Sequence, residues 1–126
     1  RAKKIKNIQN EFNEISITGP ENGDLLVIGW GSTNGPISEA QEKLANKGYN
    51  ISHVHVSCLW PISERLKNLA SKFKLVIVVE MNDGQLYNLL KAQGVQKIQS
   101  LTQVSGKPLR VSYLLEEFQK IIKNGK

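Results

Sequence analysis

The sequence predicts an α/β fold, a mainly parallel sheet with helices on both faces. Three observations predict it. The apolar runs Leu25-Leu26-Val27-Ile28 and Leu75-Val76-Ile77-Val78-Val79 are continuous rather than alternating, as in strands covered on both sides. Stretches with apolar residues at helical spacing lie between the strand-like runs. Clusters rich in Gly, Pro, Asn and Asp punctuate the joins. The order reads β-β-α-β-α-β-α-β-α, the alternation that builds parallel sheets.

Taken in order, Arg1–Phe12 carries Ile5, Ile8 and Phe12 at helical spacing. It reads as a linker or the end of a helix from an upstream part. Ile15-Ser16-Ile17-Thr18 alternates like a short edge strand, and Gly19-Pro20-Glu21-Asn22-Gly23 is turn chemistry. The link Thr18–Asp24 is too short for a crossover helix, so the first strand either hairpins with the second or lies elsewhere as an antiparallel edge. The strand Asp24–Ile28 follows. It breaks at Gly29-Trp30-Gly31, with Ser32, Thr33 and Asn34 as competent N-caps and Pro36 suited to a first helical turn. Ile37, Ala40 and Leu44 make one helical stripe, and Gly48 is a C-cap. Ile51–Cys58 is a strand on which Val54, Val56 and Cys58 point one way and Ile51, His53, His55 and Ser57 the other. Ile62, Leu66, Leu69 and Phe73 space out a helix of about three turns. Leu75–Val79 is the most apolar run and is expected to be the most buried strand. Asn82 or Asp83 caps the next helix, whose Leu86, Leu89 and Leu90 face inward and which Gly94 ends. Val95–Leu101 is a polar edge strand and Gly106-Lys107-Pro108 a loop. In the last helix Ser112 is the N-cap and Leu114, Leu115, Phe118, Ile121 and Ile122 form the apolar face. Glu116 and Glu117 come early and Lys120 and Lys123 late, matching the helix dipole.

The totals narrow the function classes. At 126 residues, with 40% hydrophobic and 22% charged, the chain is long enough for one domain with a core and too short for two. It opens at Arg1 rather than a methionine, which suggests a piece of a longer protein. No run approaches the roughly 18 apolar residues of a membrane span, and no apolar stretch follows the basic start as in a secretory signal. The single cysteine, Cys58, excludes a disulfide framework and a cluster ligated by this chain's cysteines, and fits a reducing, cytoplasmic setting. The net charge is +6, partly from Arg1, Lys3, Lys4 and Lys6 and from Lys120, Lys123 and Lys126. Without interleaved aromatics these read as solvated ends rather than a nucleic-acid surface.

The stretches Asp24–Thr33 (DLLVIGWGST), Leu59-Trp60-Pro61, Val78–Leu86 (VVEMNDGQL) and Gly106-Lys107-Pro108-Leu109 carry a resemblance. In this order and spacing the chain resembles the C-terminal domain of the alpha subunit of 2-oxoacid:ferredoxin oxidoreductases, over roughly Ile15 to Ile122. The resemblance implies a single transketolase C-terminal-like domain: a three-layer α/β/α sandwich on a five-stranded sheet, order 1-3-2-4-5, strand 1 antiparallel. It implies an enzyme that oxidatively decarboxylates a 2-oxoacid to an acyl-CoA and passes electrons to ferredoxin. That enzyme uses thiamine diphosphate, Mg²⁺, an iron–sulfur cluster and coenzyme A. This domain is expected to bind no cofactor or metal alone, to carry no catalytic residue, and to contact the upstream domain and the beta subunit, with no nucleic-acid or membrane partner. A transketolase or a 2-oxoacid dehydrogenase first component is the alternative on the same fold. The helix start Gly84-Gln85-Leu86 after Glu80-Met81-Asn82 is more similar to the ferredoxin-dependent group. A stand-alone anion- or nucleotide-binding module is the alternative of another class.

The implied strand order puts the topological switch between strands 2 and 4, where ligand crevices open at the strands' carboxyl ends. Gly29-Trp30-Gly31-Ser32 and Glu80-Met81-Asn82 are then neighbours in space. The glycine turn is able to cradle an anion, but its G-x-G-x-x-x-G spacing is not the dinucleotide fingerprint. A turn that presents Trp30 to a domain interface is preferred. Glu80 is either an acid/base or an acceptor of N–H bonds from the Gly29–Asn34 turn that locks the two loops. The lock is preferred, because no second catalytic group stands near it in sequence. Asn82 and Gln85 are caps or interface groups, and Trp30 and Trp60 are exposed interface aromatics. His53 and His55 share a strand face, as zinc ligands do, but lack a third ligand at a suitable spacing and read as a packed pair. Cys58 points away from His55 and reads as a small buried hydrophobe rather than a nucleophile.

Overall fold

The computed structural model describes residues 15–56, 63–81, 84–102 and 109–124. Five strands, β1 (Ser16–Thr18), β2 (Gly23–Trp30), β3 (Ile51–Val56), β4 (Phe73–Glu80) and β5 (Ile98–Thr102), form one sheet in the order β1-β3-β2-β4-β5. The helices are α1 (Asn34–Asn46), α2 (Glu64–Ala70), α3 (Gln85–Ala92) and α4 (Val111–Asn124). β2, β3, β4 and β5 are parallel and β1 is antiparallel to β3, so the expected sheet order and antiparallel edge are found. Ser16 pairs with His55 and Thr18 with His53, which puts the start of β1 at the carboxyl edge of the parallel strands.

The direction of each crossover decides which face its helix covers. The chain moves one way from β2 to β3 and back across β2 to reach β4. Right-handed crossovers in opposite directions need opposite faces. Accordingly α1 and α4 pack over Leu25, Val27, Ile51, Ile77 and Val79, whereas α2 and α3 pack over Leu26, Ile28, Val54, Val76 and Val78. β2 feeds both cores from alternate residues, which is why Leu25–Ile28 is apolar without interruption and wholly buried.

Local sequence explains most boundaries. Ile37, Ala40 and Leu44 are the inward stripe of α1, joined by Gln41, whose Nε2 donates to the Ile51 carbonyl at 2.9 Å. Gly48 and Gly94, both at φ 94°, close α1 and α3. The amides of Tyr49 and Val95 reach back to Leu44 O and Leu90 O. Leu114, Phe118 and Ile122 are the buried line of α4, with Leu115 and Ile121 half-buried beside it.

Several boundaries differ from expectation. α2 is Glu64–Ala70, capped by the Ser63 hydroxyl, which accepts from Arg65 N–H at 3.1 Å. Phe73 is not its last turn but the first residue of β4, because Lys67, Leu69 and Ser71 already close the helix. Ser112 lies inside α4, not at its cap, since Arg110 O accepts the first helical bond from Leu114 N–H. β5 is Ile98–Thr102 rather than beginning at Val95, which belongs to the α3 C-terminal turn. The segments Arg1–Phe12, Cys58, Leu59-Trp60-Pro61, Asn82-Asp83 and Gly106-Lys107-Pro108 fall outside the described residues. Among those described, no helix is long and apolar enough to cross a membrane.

Candidate functional site

The corner at the carboxyl ends of β2 and β4 is built around one carboxylate. β4 emerges from the core still extended at Glu80, which is fully buried. An ionised carboxylate there needs partners on its lone pairs. Glu80 Oε1 accepts the Trp30 indole N–H at 2.8 Å and the Leu86 backbone N–H at 2.8 Å; Oε2 accepts the Tyr87 N–H at 3.0 Å. The carboxylate thus bridges β2 to the first turn of α3, satisfying two of that helix's orphan amides and facing its positive end.

The expected lock is present, with one donor from the Gly29–Asn34 stretch and two from α3. They are the indole and the α3 amides, not the backbone of the glycine turn. The reason lies in β2, which continues through Gly29 and Trp30 instead of turning at Gly29. Gly29 is a close-approach glycine: a Cβ there would come within 2.5 Å of Ile37 Cδ1 and 2.6 Å of Thr33 Oγ1, so α1 sits directly on the strand. The turn follows as a 3₁₀ segment, Gly31–Thr33. Thr33 stands at the N-cap of α1 but does not cap it; its hydroxyl donates to Trp30 O at 3.0 Å.

Trp30 is not the exposed aromatic expected at the rim. It is half-buried and packs on the α2/α3 core while its N–H holds Glu80. Gly31, Ser32 and Gln85 are exposed around it. Trp60 and Asn82 lie outside the described residues. Gly84 stands at the N-cap position of α3 without a side-chain bond of its own, and Glu80 meets the helix amides in its place.

The histidine pair lies on the other face of the sheet, toward α1. His53 is buried; its Nδ1 stands 3.4 Å from Ser38 Oγ on α1. The two rings meet edge-on at 6.4 Å. Burial, and secondarily the neighbouring His55, lower the His53 pKa from 6.5 to about 4. Burial also lowers that of His55. His53 Nε2 and His55 Nδ1 have no hydrogen-bond partner among the described residues. No group of three or more His, Cys, Asp or Glu stands together for a metal ion among those residues. Both shifts favour the uncharged imidazoles, as the packed reading of the pair requires.

Sequence reasoning missed a cleft of about 280 Å³ at the amino edge of the sheet, between the ends of α2 and α3. Its lining comes from two helix ends and a loop that only the folded chain brings together.

The match to known proteins is broad. Residues 23–114 match the family described as pyruvate:ferredoxin oxidoreductase core domain II. The 2-oxoglutarate oxidoreductase subunit KorA of Mycobacterium tuberculosis is 35% identical over 100 residues, 79% of this chain and 15% of that protein. The 2-oxoacid:ferredoxin oxidoreductase 1 alpha subunit of Aeropyrum pernix is 30% identical over 134 residues, all of this chain and 21% of that protein. The chain therefore spans about a fifth or less of the length of these relatives. The structure of 2-oxoglutarate:ferredoxin oxidoreductase from Magnetococcus marinus, with 2-oxoglutarate, coenzyme A and succinyl-CoA bound, superposes with a TM-score of 0.84 at 26% identity. It covers 94% of this chain and 21% of that one. With a family match that takes in most of the sheet and all four helix starts, the chain belongs to the pyruvate:ferredoxin oxidoreductase core domain II family.

Proposed function

We propose that this chain is the non-catalytic C-terminal domain of the alpha subunit of a cytoplasmic 2-oxoacid:ferredoxin oxidoreductase. The whole assembly converts a 2-oxoacid to an acyl-CoA and delivers the electrons to ferredoxin. Thiamine diphosphate with Mg²⁺ supplies the decarboxylation chemistry, and an iron–sulfur cluster and coenzyme A serve the later steps. This chain's residues do not fit those groups: one cysteine is too few for a cluster, and the Glu80 oxygens are taken by the chain's own donors. The observation that carries the reading is that carboxylate. It occupies the switch-point crevice, where an open α/β sheet would otherwise bind a ligand. It also fills the anion position at the α3 N-terminus, so the anion-module alternative loses its best pocket.

The domain's work is then to present a rigid carboxyl rim to the upstream domain and the beta subunit. Gly31, Ser32 and Gln85 are its exposed part, and Gly29, Trp30 and Glu80 hold it in shape. The folded 126-residue chain, its fold checked by circular dichroism, is expected to form no acyl-CoA even with thiamine diphosphate, Mg²⁺ and coenzyme A supplied. Turnover by it alone overturns the reading. In the whole enzyme, Ser32→Arg or Gln85→Arg is expected to weaken subunit assembly about tenfold, without lowering the melting temperature of the free subunit. Unchanged assembly would remove the rim from the interface.

A further inference from the structure

The opposite edge of the sheet has its own chemistry. The four helices among the described residues run toward the amino edge of the parallel strands, and lysines collect there. Lys47, Lys72, Lys97 and Lys123 are exposed at helix or strand ends on this edge, with no carboxylate in ion-pair range among the described residues. Helix dipoles account for part of this. They do not account for all of it, because the carbonyls at the ends of α2 and α3 are already bonded by Ser71, Lys72, Gln93, Gly94 and Val95 amides.

The cleft between those two helix ends is where the charge has a shape. It is walled by Lys67, Ser71, Gln93, Gln96 and Lys97 over a floor that includes Phe73. Lys67 is fixed on one side by Glu64 at 2.6 Å and Gln93 Oε1 at 3.3 Å. Lys97 stands on the other at φ 55°, the one left-handed non-glycine residue among those described. Its carbonyl is pinned by the Val76 N–H at 3.0 Å. Glycine would hold that backbone without strain, yet a long cation is there. Strain retained for a side chain at a cleft mouth points to use of that side chain.

We propose that this cleft docks a carboxylate-bearing segment of a partner protein, with an Asp or Glu side chain reaching the Lys97 ammonium. The side-chain amides of Gln93 and Gln96 serve the rest of that segment, and the surrounding lysines steer its approach. A nucleic acid suits the site less well, since Phe73 is buried and the described lining residues offer no other aromatic face for base stacking.

The test uses the full subunit carrying this chain and a labelled oligo-glutamate peptide, followed by anisotropy. The peptide is expected to bind, and to weaken as salt rises. Lys97→Glu is expected to lower affinity about tenfold or more, and Arg110→Glu at the opposite edge to change it less than about twofold. Lys97→Gly removes the cation and the backbone strain together; it is expected to melt no lower than the parent and still lose binding. Equal losses from Lys97→Glu and Arg110→Glu, unchanged binding in Lys97→Gly, or no binding by the parent subunit overturn the proposal. So does tighter binding of a single-stranded oligonucleotide of equal charge.

Discussion

Two buried titratable groups, on the strands either side of β2, have opposite fates. Glu80, at the end of β4, is wholly buried and has a donor for each of three bonds. His53, on β3, is nearly as buried and has one ring nitrogen beside Ser38 and the other without a partner among the described residues. The first group ties two distant parts of the chain together. The second is tolerated only because it stays uncharged. Burial alone therefore says nothing about what a polar side chain contributes; the partner count does.

The sharpest way to break the contrast is Glu80→Ala. It strands the Trp30 indole and two α3 amides, and is expected to lower unfolding free energy by about 3–5 kcal/mol. A urea titration checks this, and a loss below about 1 kcal/mol would mean that water substitutes for the carboxylate.

Next in size is acid lability. His53 titrates near 4 when folded and near 6.5 when unfolded. The unfolded chain takes up the proton first, so stability is complete above about pH 6.5 and falls as the pH drops toward 4. The expected loss is about 3 kcal/mol. His53→Leu is expected to flatten that arm of the stability curve while leaving the value at pH 7 within about 1 kcal/mol. An unchanged acid arm would shift the cause to other groups.

The smallest effect expected is that of Trp30→Phe, which keeps a ring against the core but removes one of the three Glu80 donors. A loss of about 1–2 kcal/mol is expected. It should be non-additive with Glu80→Ala when the double variant is made, because the two side chains share one bond.

Much of this was legible in the sequence, and the exceptions have causes. The continuous apolar run of β2 announces a strand facing two cores; the short Thr18–Asp24 link leaves a hairpin or an antiparallel edge open for β1, and the strand order that the resemblance implies selects the edge. Glu80 stood out because an acid directly after Leu75–Val79 must either leave the core or find donors. Its donors were not legible: the indole arrives from 50 residues away, and the Leu86 and Tyr87 amides depend on the angle at which α3 leaves the strand. The end of α2 was misjudged because Phe73 satisfies a helical spacing from Leu66 and Leu69 as well as the alternation of β4. Thr33 has the right chemistry for a cap, but its hydroxyl is drawn to the Trp30 carbonyl by the 3₁₀ turn. Lys97 leaves no local signal at all, since nothing in its composition distinguishes a left-handed lysine from any other.

The reversed direction of β1 has one more consequence. Because Ser16 lies beside His55, whatever polypeptide precedes it is delivered to the same end of the sheet as Trp30 and Glu80. A neighbour tethered there meets the rim at an effective concentration on the order of millimolar, set by the leash rather than by the cell. On the function proposed above, the exposed Gly31, Ser32 and Gln85 would then be contact enough, the covalent connection doing what a larger adhesive patch would have to do between separate molecules.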